Sequence, residues 1–281
     1  MFIRVHPLPF LFFLASIALF WVPLHQLVSL SLNDQRYSHL ILIPVISAFF
    51  LYRERHKIFP HIAFRPRLAL PFLAASLLLY FVHSSPNYAL SMAVLSMVLF
   101  WFAGFAAFYG VQSFKAALFP LLFLLLLVPV PFTQMDQIIS VLQRGAAEAT
   151  YRLFSLAGVP MFRNGVRFDL PGIGIEVAAE CSSIHSAWAL FITGLLVAHM
   201  FLKSLWPKAL LAILTIPIAM FTNAIRIVTL WFLGTHVDPS FIFGPLHHNG
   251  GILFSLISLS LLLSLLYLLR KLERPPRLAT K

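Results

Sequence analysis

The sequence predicts an all-α polytopic membrane protein of about eight transmembrane helices, with an outward amphipathic helix and a small β-hairpin between spans five and six. Three observations predict it. Of the 281 residues, 60% are hydrophobic and only 10% are charged, against roughly half and a quarter in soluble globular domains. Apolar runs approaching the roughly 20 residues needed to cross the hydrocarbon recur along the whole chain. The basic residues gather on alternate connections. This composition excludes a disordered chain and argues against a soluble enzyme. A single cysteine, Cys181, excludes a disulfide framework, a cysteine-based zinc site or an iron–sulfur cluster. The net charge of +11 fits cytoplasmic loops that hold a topology, not nucleic acid as a partner.

The spans read in order as Leu8–Leu32, Ser38–Tyr52, Leu68–Val82, Tyr88–Tyr109, Phe114–Phe132, Ile184–Leu202, Leu210–Leu233 and Gly251–Leu269. The second and third are short and recruit flanking residues. The first apolar run is too long for a cleavable signal peptide, and no small-residue cleavage site follows it. With eight spans, fourteen basic residues share one side: Arg4, five between Arg53 and Arg67, Lys115, Lys203, Lys208 and five from Arg270 to Lys281. Five lie opposite (Arg36, Arg144, Arg152, Arg163, Arg167), and Arg226 falls inside span seven. The richer side is therefore expected to be cytoplasmic, with both termini inside and the chain in the cytoplasmic (inner) membrane. The whole of 1–281 reads as a single transmembrane domain.

The loop 133–180 is then extracytoplasmic. Thr133 and Asp136 have capping-box spacing. Met135, Ile138, Leu142, Ala146, Ala149, Leu153 and Leu156 form a stripe at three-to-four spacing, with Gln137, Ser140, Arg144, Glu148 and Arg152 away from it. Such a helix is expected to lie in the membrane interface and to stop at Gly158 and Pro160. Asn164-Gly165 between alternating residues marks a hairpin. A further alternation, Ile173, Ile175, Val177, marks a third short strand leading to Cys181.

Cys181 sits in Glu180-Cys181-Ser182-Ser183 at the start of span six. A lone cysteine in a membrane helix is by default a small hydrophobe. Here a helix N-terminus would lower its pKa and offer free N–H groups to an oxyanion. Arg226 lies near the outer end of span seven, where a guanidinium is expensive and points to function. The alternative is an ion pair with Glu176 or Glu180. Asn223, three residues earlier, shares its face and could orient it. Before span eight come His247 and His248; without an HExxH or carboxylate cluster they read as proton-transfer groups more readily than metal ligands. His185 stands one helical turn after Cys181, and His39 lies at the outer end of span two. Cys181, Arg226 and the His247/His248 pair thus converge on one outer face. They are the parts of an acyl-transfer site: nucleophile, electrostatic stabiliser and acid/base. No cofactor and no metal are expected.

At these residues the chain resembles the exosortase/archaeosortase family of membrane cysteine peptidases or transpeptidases. Tyr37-Ser38-His39 with Pro44 and Arg53-Glu54-Arg55 is similar to its first signature. Val177-Ala178-Ala179-Glu180-Cys181-Ser182-Ser183 resembles its Cys-Ser-Gly nucleophile motif, with Ser183 in place of the glycine. Asn223-Ala224-Ile225-Arg226-Ile227 resembles Asn-x-x-Arg-Ile, and His247, Gly251 and Phe254 resemble the pattern that opens the last span. The resemblance implies Cys181 as nucleophile, Arg226 as oxyanion stabiliser and His247 as general acid/base, with His248 or His185 as fallback and Asn223 and Ser182 in support. It implies exported proteins with a C-terminal sorting signal as partners: a short motif such as Pro-Glu-Pro, a transmembrane helix and a basic tail. A polysaccharide or lipid acceptor would fit transpeptidation in the bilayer. The competing reading is a transporter or lipid carrier in which Arg226 and His247/His248 bind an anionic substrate.

Overall fold

Leu- and Phe-rich runs with almost no interior charge become helices because, in lipid, each helix satisfies its own backbone. The computed structural model describes residues 7–60, 62–82, 86–171, 173–177, 184–243 and 251–273. They form α1 (Pro7–Leu19), α2 (Trp21–Asn33), a 3₁₀ segment (Gln35–Ile41), α3 (Leu42–Arg53), α4 (Arg55–Ile58), a second 3₁₀ segment (Pro66–Ala69), α5 (Leu70–Val82), α6 (Pro86–Ala116), α7 (Leu118–Phe123), a third 3₁₀ segment (Leu124–Leu127) and α8 (Phe132–Leu156). Then follow β1 (Phe162–Asn164), β2 (Arg167–Leu170), β3 (Ile173–Glu176), α9 (Ile184–Phe201), α10 (Leu205–His236), α11 (Ser240–Phe243) and α12 (Gly251–Glu273). The chain divides into two units, Met1–Met135 and Asp136–Lys281.

Four helices, α6, α9, α10 and α12, are long and apolar enough to cross a membrane, and two bent pairs raise the number to six. The fold is therefore that of an all-α polytopic membrane protein. The run expected as the first span is α1 and α2, bent by 73°. Pro23 explains the break: its ring clashes with the carbonyl four residues back, at Leu19. Helices α3 and α5 have 12 and 13 residues, about 20 Å at most, short of the roughly 30 Å hydrocarbon.

In the first unit, polar groups join helices where lipid offers no water. Ser76 and Ser96 each donate to the other's carbonyl at 2.8 Å, tying α5 to α6. The third 3₁₀ segment leads through a short linker into α8. The linker between them contains Pro129 and Pro131, which lack N–H donors. Its carbonyls are taken by neighbours: Ser91 Oγ donates to Pro129 O at 2.7 Å, and Tyr37 Oη to Val130 O at 2.7 Å. Helix α6 breaks at Gly110, whose φ is +79°. An added Cβ there would come within 2.9 Å of Ala63 O.

In the second unit, α8 ends in a paired turn. Val159 N–H donates to Phe154 O and Gly158 N–H to Ser155 O, with Gly158 at φ +70°; this closes the open carbonyls of the last turn. The buried face of α8 is Met135, Ile139, Leu142, Ala146, Ala147, Thr150 and Phe154. This corrects the expected stripe: Ile138, Ala149 and Leu153 lie at its flank, and Leu156 is 86% exposed. The reason is tertiary. Ala146, Ala147 and Phe154 pack with Phe168, Leu170, Val177 and Trp231 of the sheet and α10, so the apolar face meets protein. The three strands pair antiparallel in the order β1-β2-β3. Asn164 opposes Arg167, so Gly165 (φ +62°) and Val166 form the turn.

Candidate active site

Helices α9, α10 and α12 form a packed trio. Leu190, Ala198 and Leu202 meet Leu211 of α10 and Leu262, Leu266 and Leu269 of α12. Gly194 permits the α9–α10 contact, since a Cβ there would lie 2.8 Å from Thr215 Cγ2. One end is fixed by Glu273, the last residue of α12. Its carboxylate accepts from Ser204 N at 2.7 Å and from Lys203 N at 3.0 Å, in the short α9–α10 link.

That clamp sets the direction of all three helices. The N-terminus of α9, the C-terminal part of α10 and the N-terminus of α12 lie toward the opposite end. Helix rise gives their heights above the clamp: about 32 Å for Arg226 counted from Leu205, about 33 Å for Gly251 counted from Glu273, and about 26 Å for Ile184 counted from Phe201. Cys181 precedes α9 by three residues, and His247 precedes α12 by four. Cys181, Ser182, Ser183, Glu180, His247 and His248 themselves lie outside the described residues. Of the two helix starts that follow them, Gly251 of α12 lies at about the height of Arg226 and Ile184 of α9 about one turn lower.

Arg226 is half-buried and Asn223, one turn below it, is 4% exposed. Thr222 Oγ1 donates to Ile218 O at 2.8 Å. The alternative ion pair with Glu176 is not formed: Glu176 is exposed on the sheet, and no described ion pair includes it. His185 is exposed in the first turn of α9. His39 is 9% exposed within the first 3₁₀ segment, in the first unit.

The sheet delivers the chain to this end. Val177 is 2% exposed and packs in the cluster that contains Trp231, with Ile227 and Val228 against it. Ile227 and Val228 are the two residues after Arg226. Val177 N–H donates to Val166 O at 3.0 Å, and Gln143 Nε2 of α8 donates to Val177 O. The backbone is thus held on both sides four residues before Cys181. The sheet is tied to α8 by Arg163, whose Nη1 lies 2.8 Å from Glu148 Oε2, while Arg152 Nε takes Oε1 at 3.0 Å. The Arg163 and then the Arg152 guanidinium hold the Glu148 carboxyl below its ordinary range. Sequence reasoning missed Gln143 and Trp231. Gln143 was legible as a polar residue set between Ile139 and Ala146 on the buried stripe; Trp231 carried no such signal. Among the described residues, no group of three or more His, Cys, Asp or Glu is placed to hold a metal ion.

The model of the family described as Transmembrane exosortase (Exosortase_EpsH) matches residues 29–264. The chain belongs to this family. The match covers most of the chain, including Tyr37, Cys181, Arg226 and His247. No curated protein and no solved structure matches it. As an exosortase-family membrane protein, it falls among membrane-embedded enzymes that process sorting signals.

Proposed function

We propose that this exosortase-family protein is a cysteine peptidase or transpeptidase, cutting exported proteins at a C-terminal sorting signal on the outer face of the cytoplasmic membrane. The signal would comprise a short motif such as Pro-Glu-Pro, an apolar helix and a basic tail. The chain would cross the membrane eight times, with α3 and α5 extended by their 3₁₀ segments and both termini inside. The carrying observation is that Val177 shares one buried cluster with Trp231, against which Ile227 and Val228 pack, so that the last anchored residue before Cys181 belongs to the same core as the turn of α10 that follows Arg226.

In the proposed reaction the Cys181 thiolate attacks the scissile carbonyl carbon, forming a C–S bond. The Arg226 guanidinium, with backbone N–H groups at the start of α9, stabilises the oxyanion. As the C–N bond breaks, His247 gives its proton to the leaving amine. The acyl thioester then passes to water, or to an amine or hydroxyl of a lipid or polysaccharide acceptor, and the thiolate is regenerated. Asn223 would orient the guanidinium, and Ser182 would support the nucleophile turn.

The test is a reporter carrying a Pro-Glu-Pro motif, an apolar helix and an arginine cluster, expressed with the enzyme. The wild type should release the C-terminal fragment and Cys181→Ala should not. Equal processing by both would refute a thiol mechanism. A transporter or carrier instead predicts that Cys181 is dispensable.

A further inference from the structure

Among the described residues the sheet has an open edge, on the strand that leads in sequence to the proposed nucleophile. Strand β3 lies at the end of the order β1-β2-β3, and its pairing with β2 fixes which groups are used. Val177 N–H donates to Val166 O, and the register opposes Phe168 to Ile175 and Leu170 to Ile173. In an antiparallel ladder, hydrogen-bonded pairs alternate with non-bonded ones. Ile173 and Ile175 therefore turn their backbone groups to β2, and Val177 its N–H to Val166 and its carbonyl to Gln143. Gly174 and Glu176 turn theirs outward, and no described backbone group meets them.

Such an edge is a template for another strand, and proteins normally blunt it with Lys, Pro or a bulge. Here the described strand carries no Lys, Pro or bulge, and its one charge is Glu176 at the end nearest Cys181 in sequence. Gly174 has no side chain, and both Gly174 and Glu176 are exposed. Glu176 is also five residues from Cys181, and the backbone is anchored as far as Val177. Three residues lie between Val177 and Cys181, a reach of at most about 14 Å over four Cα steps.

We propose that the free edge of β3 binds the substrate polypeptide as an added, extended strand, pairing its backbone with Gly174 and Glu176 and directing the scissile bond toward Cys181. This rests on the peptidase reading and names how that site would take its substrate. Main-chain bonds give affinity in such complexes and alternate side chains give selectivity. Alternate residues of the bound segment turn their N–H groups away from β3, so proline is tolerated at those positions without loss of a bond.

The test uses the full chain in nanodiscs and a fluorescent peptide of the reporter's motif region. Glu176→Pro removes one outward N–H and leaves the β2 ladder intact, because Pro is accommodated where a strand N–H faces solvent. Glu176→Ala removes the side chain and keeps the N–H. Binding should weaken about tenfold or more in Glu176→Pro and stay near wild type in Glu176→Ala, with thermal unfolding unchanged in both. A second measurement uses the wild-type chain alone: each non-proline residue of the peptide is N-methylated in turn. Losses at every second position support strand addition. Uniform insensitivity, or unchanged binding by Glu176→Pro, overturns it. A shift of Glu176→Pro from dimer to monomer with peptide binding intact also overturns it, since the edge then joins two copies. Alternating losses without Cys181-dependent cleavage would keep the edge and refute the peptidase reading; cleavage without alternation would do the reverse.

Discussion

The side-chain amide of Gln143 donates to the carbonyl oxygen of Val177, joining the middle of α8 to the end of the sheet. Val177 is buried, so that carbonyl has no water to replace the donor. Leaving a buried acceptor unsatisfied costs about 1–3 kcal/mol. Gln143→Leu is therefore expected to lower the melting temperature and to slow reporter cleavage by about tenfold, because the strand end that leads to Cys181 loosens. Cleavage at the wild-type rate would show that this bond does not position the nucleophile segment.

The α9–α10 contact at Gly194 offers a test with its own rescue. Thr215 is fixed, with its Oγ1 donating to Ala212 O at 2.6 Å, so its Cγ2 cannot swing away from an added methyl. Gly194→Ala is expected to destabilise by about 1–3 kcal/mol through overpacking. Thr215→Ser keeps the hydroxyl and deletes Cγ2, and the double variant should recover most of the loss. Thermal unfolding of the three variants in detergent checks this. An additive double variant would place the clash elsewhere.

The sequence made the helical membrane fold plain because hydrophobic runs and charge placement act locally. Helix α8 was legible to within a residue at its start, and Gly158 marked its end. Which face of α8 is buried was not, since Ala147 and Phe154 are selected by the sheet and α10. The bend at Phe20 was written in Pro23 but masked by the unbroken apolar run around it. Arg226 and Asn223 stood out as polar groups in an apolar span. The links that orient the site, Gln143 to Val177 and Glu273 to Ser204, join residues 34 and 69 positions apart, and no local pattern encodes such pairs.

Glu148 gives a pH dependence whose sign follows from its partners. Arg163 and Arg152 lower its pKa from the ordinary 4.5. A carboxyl lowered on folding stabilises fully above its unfolded value, and that contribution is lost as pH falls through the folded value. The attachment of β1 to α8 should therefore weaken as pH falls below about 4.5. Hydrogen exchange across β1 and β2 should rise with acid in the wild type. Glu148→Gln should exchange faster at neutral pH and lose that acid-dependent step. An identical acid response in both would remove Glu148 as its cause.

Arg226→Lys is expected to fail nearly as badly as Arg226→Ala. A planar guanidinium holds an oxyanion or carboxylate through two parallel bonds, and an ammonium cannot. Reporter cleavage at matched membrane levels distinguishes the cases. If Lys restored most processing, a simple counter-charge would be enough and the oxyanion role would lose its support.

Three histidines compete for the acid/base role, and each has a different argument. His247 has the family spacing to Gly251 and Phe254, and it precedes α12 by four residues in the sequence. His248 is its neighbour and would point elsewhere at the start of a helix. His185 is exposed on the first turn of α9 and follows Cys181 by only four residues in the sequence. Losing a general acid/base costs about 10²–10⁴-fold in rate, whereas losing a packing histidine lowers stability instead. With each changed to Ala at equal membrane levels, His247→Ala should approach the inactivity of Cys181→Ala. His185→Ala and His248→Ala should retain measurable turnover. Normal cleavage by His247→Ala with either other variant inactive would move the base to that residue and leave the cysteine mechanism standing. Processing by all three histidine variants and by Cys181→Ala would remove the mechanism itself.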